Sequence, residues 1–114
     1  MIVLSFCWIA SCQALIYIPA IVIAELYYLN EKKGRPLDFR TKYARLAQSK
    51  QFVLLPLYPS HTLDFDACSA VTEMHDRMIA ADARRINATL LTRDAQIASS
   101  GVVAAYRQRV IAHR

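Results

Sequence analysis

Three carboxylates stand where a charge is hard to place. Glu25 is the first charged residue of the chain and sits inside the apolar run Ile23-Ala24-Glu25-Leu26. Asp76 precedes Ile79 and Ala80 by three and four residues, so on a helix it shares their inward face. Asp94 follows the short apolar strand pattern Thr89-Leu90-Leu91-Thr92. An inward charge is unfavourable unless it is paired or binds a metal. If the three converge, they form an oxygen-rich site suited to Mg²⁺ or Mn²⁺. Such an ion can activate water and stabilise the charge that develops in phosphodiester cleavage. The competing reading pairs each carboxylate with a nearby arginine, Arg77 and Arg93 being at hand. Thr92 could hydrogen-bond one of the carboxylates or be a plain strand residue. Asp82, beside Arg84 and Arg85, reads as an ordinary surface charge.

The elements that would carry these groups alternate between strand and helix. Ala14 to Ile18 is rich in β-formers and stops at Pro19, which suits the first turn of a helix from Ala20 to Glu31. Gly34 and Pro36 break that helix, and Leu37 to Lys50 predicts a second with Phe39, Tyr43, Leu46 and Ala47 on one face. Phe52 to Leu55 is a second strand closed by Pro56 and Pro59. Ser60 or Thr62 can cap a short helix reaching Ala70. Thr72 can cap the next, Glu73 to Ile86, and Asn87 suits its left-handed stop. After the strand Thr89 to Thr92, a short helix is expected over Ala95 to Ser99 and an edge strand at Val102-Val103. Alternating strands and helices imply an α/β fold with a parallel sheet. Ligands bind such sheets outside the carboxyl ends of the strands, where Asp94 and Glu25 would both lie.

A chain of 114 residues fits a single domain, 1–114, with an atypical start at 1–14 and a basic tail at 104–114. With 55% hydrophobic residues and only two glycines, it can build a core and leaves no room for a disordered or fibrous class. The net charge of +5 suits a polyanion or an acidic protein. Between Lys32 and Lys50 lie seven basic residues opposed only by Asp38; Lys42 and Arg45 here, with Arg77 and Arg93 later, are candidate RNA contacts. Cys7, Cys12 and Cys68 match no zinc spacing and read as buried thiols of a reducing, cytoplasmic compartment. Residues 1–24 carry no charge, which raises a membrane anchor as an alternative, but Pro19 and Glu25 interrupt the run that a span would need.

Two stretches, His75-Asp76-Arg77-Met78-Ile79-Ala80-Ala81 and Ala88-Thr89-Leu90-Leu91-Thr92-Arg93-Asp94, resemble the C-terminal half of a PIN domain. Upstream, Ile16-Tyr17-Ile18-Pro19-Ala20 through Ala24-Glu25-Leu26 resembles the family's strand leading into its helix glutamate. The similarity runs from Leu15 to Val103. It implies a three-layer PIN-like α/β domain in which a short parallel sheet is flanked by helices. It further implies a metal-dependent endoribonuclease with Glu25, Asp76 and Asp94 as catalytic metal ligands for Mg²⁺ or Mn²⁺ and Thr92 as the supporting hydroxyl. In size and motif the chain is most similar to the VapC-like toxins, which implies RNA as substrate, an antitoxin protein as partner, and a homodimer as an allowed assembly.

The start departs from that pattern. Members of the family open with a strand ending in Asp, whereas Met1-Ile2-Val3-Leu4 is followed by Ser5, and no acidic residue precedes Glu25. The nine residues Phe6 to Ala14 are fewer than the dozen or so that a parallel crossover takes. The first strand and first helices are therefore expected to be missing or altered, through a deletion or a truncated reading frame. Two other functions stay open on this basis. One is an inactive PIN remnant that binds RNA or an antitoxin-like protein; the other is a small membrane-anchored protein.

Overall fold

A computed structural model describes residues 3–6, 15–92, 99–102 and 105–107. Five strands form one sheet in the order β3-β2-β1-β4-β5. They are β1 (Val3–Phe6), β2 (Leu15–Pro19), β3 (Phe52–Leu55), β4 (Thr89–Thr92) and β5 (Ala105–Arg107). Among the described residues they are accompanied by the helices α1 (Ala20–Lys32), α2 (Phe39–Gln48) and α3 (Met74–Ile86), with a 3-10 segment over Pro59–Cys68 ahead of α3. The fold is α/β with helices packed against the sheet, as the alternation of patterns predicts.

The sheet is mixed rather than parallel throughout. β2 pairs with β3, and β4 with β5, in parallel, but β1 runs antiparallel to both β2 and β4. Four strands therefore point one way and the central one points back. The linker explains the reversal. Only Cys7 to Ala14 separate β1 from β2, enough for an antiparallel return but too few for a crossover. The first strand is thus present but altered. Its register places Ser5 opposite Ile16 and Thr89, near the beginnings of β2 and β4. Ser5 accordingly does not take the place of the aspartate with which a PIN strand ends. At about 3.3 Å per residue it lies roughly 10 Å from the carboxyl edge where β4 finishes at Thr92.

Local chemistry sets the element ends. Pro19, extended at φ −64° and ψ 152°, ends β2 and is the N-cap of α1. After α1 the chain turns through Gly34 and Arg35, both at positive φ. Asn30 clamps this turn, donating to the Leu37 carbonyl at 3.0 Å and accepting from its N–H at 3.1 Å. Asp38 caps α2 through the Thr41 N–H and hydroxyl, at 3.3 and 2.7 Å. Glu73, not Thr72, caps α3, accepting from the Asp76 N–H at 2.9 Å. Asn87, at φ 56°, ends α3 in the left-handed conformation expected of it. Beside β4 the described edge strand is Ala105–Arg107, with Leu90 opposite Ala105; of the edge strand expected at Val102-Val103, Val102 is a bend and Val103 lies outside the described residues.

The core joins β2, α1, α3 and β4 through Ile18, Val22, Val71, Ile79, Ala80, Ala83 and Leu90, with Cys68 buried among them. Alanines at 80, 81 and 83 let α3 approach its neighbours closely. The surface role expected of Asp82 is wrong: the residue is only 4% exposed. The 3-10 segment packs against α3; Asp82 meets Arg85 one turn on within α3, and Arg85 also reaches Asp64 of that segment at 3.0 Å. Cys68 is a buried free thiol, as expected; its neighbours in the sequence reading, Cys7 and Cys12, lie outside the described residues.

Candidate active site

Glu25 and the first turn of α3 meet beside one groove. Positions 21, 25, 28, 29 and 32 of α1 recur at helical spacing and lie along a single strip of the helix. Ile21, Glu25, Tyr28, Leu29 and Lys32 line an open groove of about 390 Å³, and His75 of α3 closes it from the other side. α1 and α3 pack on each other, and His75, in the turn that also carries Asp76, lines the same groove as Glu25. The expectation that Glu25 points inward is corrected, since its side chain is exposed on the groove wall.

Asp76 is half-buried in the first turn of α3, where the helix dipole favours a negative charge. Glu73 organises that turn. Its carboxylate accepts from the Asp76 backbone N–H and meets His75 Nδ1 at 3.0 Å. The Asp76 N–H, then those of His75, hold Glu73 below its ordinary pKa. Neither Glu73 nor His75 was singled out from the sequence. The signal was nonetheless there, in an acidic residue three before Asp76 and a histidine immediately before it. Arg77 turns away to the preceding loop, where Nε donates to the Val71 carbonyl at 2.7 Å and Nη2 to that of Ser69 at 3.2 Å. Its geometry is that of a brace for the entry to α3 rather than of an RNA contact.

Thr92 is the last residue of β4, at the carboxyl edge of the sheet. Arg93 and Asp94, which follow it, lie outside the described residues, as does most of the helix expected over Ala95 to Ser99. Among the described residues no three Asp, Glu, His or Cys side chains converge as a metal-holding group. Glu25 and Asp76 supply hard oxygen donors of the kind that Mg²⁺ and Mn²⁺ prefer. Lys42 and Arg45 are exposed on α2. Lys42 also borders a second, more enclosed depression of about 260 Å³ between α1 and α2, walled by Leu26, Phe39, Tyr43 and Leu46.

The chain is thus a small α/β domain in which Glu25 of α1 and His75 of α3 line one open groove. The sequence profile of the PIN domain family matches residues 8–101, and the chain belongs to that family. The match begins beyond β1, the one strand that runs against the rest. No curated protein and no solved structure matches the chain. PIN domains are generally nucleases, commonly with divalent metals. No helix among the described residues is long and apolar enough to cross a membrane. Within the uncharged run 1–24 that raised the membrane alternative, Leu15–Pro19 forms β2, while Ala14, the first residue of the expected strand, lies outside the described residues.

Proposed function

We propose that the chain is a Mg²⁺- or Mn²⁺-dependent endoribonuclease acting in the cytoplasm, as the toxin member of a toxin–antitoxin pair. The observation that carries this reading is the shared groove. In a PIN domain, Glu25 of α1 and His75, the residue before Asp76 on α3, line one groove, and this supports a site built around them. Glu25, Asp76 and Asp94 would hold the ion, with Thr92 supporting one carboxylate. When bound, the ion would polarise the scissile phosphate and lower the pKa of its water. Glu73 would keep the Asp76 turn in place through its bond to the Asp76 N–H. The exposed cations Lys42 and Arg45, together with Arg93, would draw the RNA backbone towards the domain.

The reversal of β1 favours a second reading, in which the domain binds RNA or an antitoxin-like protein without cutting. With β1 inverted, the strand's carboxyl end leaves the site edge and Ser5 offers nothing there. Cleavage of single-stranded RNA in Mg²⁺ and in Mn²⁺, each with an EDTA control, separates the two readings. The nuclease reading expects metal-dependent cleavage that Asp94→Asn and Glu25→Gln both abolish. Metal-independent cleavage surviving Asp94→Asn would remove the carboxylates from the mechanism, and retained RNA binding without cleavage would support the remnant.

A further inference from the structure

We propose that the groove between α1 and the start of α3 is a subsite for one unpaired nucleotide, with Tyr28 as the platform for its base and Lys32 as the contact for its phosphate. This deepens the ribonuclease reading and rests on it. Tyr28 is 67% exposed, although a tyrosine ring gains most from burial. The ring is not loose. It packs edge-on against Tyr27 at 5.3 Å, and Tyr27 packs edge-on against Phe39 at the same distance, so α2 anchors the array. A ring held open in this way has little conformational freedom to lose when a base stacks on it.

The neighbouring groups select the ligand. Lys32 follows Tyr28 by one turn on the same strip of α1, about 6 Å along the helix axis. It also begins the basic run that continues through Lys33, Arg40, Lys42 and Arg45. Arg35 of that run is already engaged by Glu31 at 2.7 Å. Ile21 and Leu29 provide an apolar floor on which a planar base can rest. The volume of about 390 Å³ falls within the range of roughly 300–1,000 Å³ typical of small-molecule sites. An ammonium and an exposed ring one turn apart on one wall suit a nucleotide, the first its phosphate and the second its base. An acidic peptide would use Lys32 but would leave the Tyr28 ring without a partner. Glu25 shares the wall, so a nucleotide seated here would have its backbone beside the proposed cutting site.

The test measures binding of a fluorescein-labelled single-stranded oligouridylate by anisotropy in EDTA, where no cleavage occurs. Tyr28→Ala should weaken binding about 5- to 150-fold, the effect of losing one base–aromatic stack. Tyr28→Phe should bind as the wild type does, because the ring is kept. Lys32→Gln should reduce the slope of log affinity against log salt by about 0.7, the value for one phosphate contact on a single strand. With 4-thiouridine in the oligonucleotide, the photo-crosslinked peptide should be the one containing Tyr28. Equal binding by wild type and Tyr28→Ala would overturn the subsite and leave the ribonuclease reading standing. Absence of both RNA binding and metal-dependent cleavage in the wild type would overturn that reading, and the subsite with it. Displacement of the RNA by polyglutamate as effectively as by unlabelled RNA would reassign the groove to an acidic protein segment.

Discussion

Replacing Asp82 by Asn should leave the protein at least as stable at pH 7, although it removes one partner of a buried ion pair. Asp82 is almost wholly buried, and bringing a carboxylate out of water costs several kcal/mol even after relaxation. The attraction of Arg85 returns about 4 kcal/mol at an effective dielectric of about 20. The balance falls on the side of desolvation. Burial raises the Asp82 pKa above its ordinary value more strongly than Arg85 and His61 lower it, while Asp64 adds to the rise. The folded protein therefore binds this proton more tightly than the unfolded chain does. Stability from the neutral carboxyl is present at low pH and is lost as pH rises from the ordinary carboxylate pKa through the raised one. Asn imitates the neutral form, so its stability relative to wild type should improve over that interval. Asp82→Ala, by contrast, leaves Arg85 with Asp64 alone and should cost about 1–3 kcal/mol. In a domain of this size that is roughly 3–6 °C of melting temperature per kcal/mol. Urea unfolding of wild type, Asp82→Asn and Asp82→Ala from pH 4 to pH 8 measures all three. The difference between wild type and Asp82→Asn cancels the opposite contributions of Asp38 and Glu73, whose lowered pKa values make the fold lose stability as pH falls. If wild type gained stability over Asp82→Asn with rising pH, the ion pair would outweigh desolvation and the argument would fail.

Ser5→Asp should not raise RNA cleavage or Mg²⁺ affinity, because the β1 register holds residue 5 near the beginnings of β2 and β4; a clear rise in either assay would mean that β1 runs the other way. Ile79→Ala, at a site 1% exposed, should cost about 2–5 kcal/mol by denaturant unfolding, and a loss below about 1 kcal/mol would contradict the packing of α3 in the core. Asn87→Gly should be neutral or stabilising and Asn87→Ala destabilising by about 1 kcal/mol, since φ is 56° there; equal melting temperatures for the two variants would argue against the left-handed stop.

Much of the architecture was legible because it is written in local signals. Pro19 marked the junction of β2 and α1, Phe52 to Leu55 marked β3, and Asn87 marked the end of α3. The direction of β1 was not legible in its own residues, since Val3 to Phe6 pair equally well either way. Only the length of the linker to Leu15 hinted at it. Asp82 was misjudged because helical spacing reports the face turned to the sheet and says nothing of the 3-10 segment that packs against α3. Glu25 was placed correctly on its helix, yet it stands on an exposed wall rather than an inward face. Apolar neighbours in sequence do not fix which strip of a helix is covered. The α3 side of the site was readable as Asp76, and Glu73 and His75 stood beside it in sequence, but that Glu73 caps α3 and that His75 faces Glu25 across a groove are seen in the fold.

The four residues of β1 also decide whether the sheet is one object or two. Within the sheet, the pair β3-β2 meets the pair β4-β5 only through Val3–Phe6. Without that strand β2 and β4 would both become edges, each presenting unpaired N–H and C=O groups to other chains. A protease that trimmed the first six residues would remove none of the carboxylates, yet it would convert two sheltered strands into sticky ones. The shelter of both β2 and β4 thus rests on four residues that carry none of the candidate carboxylates.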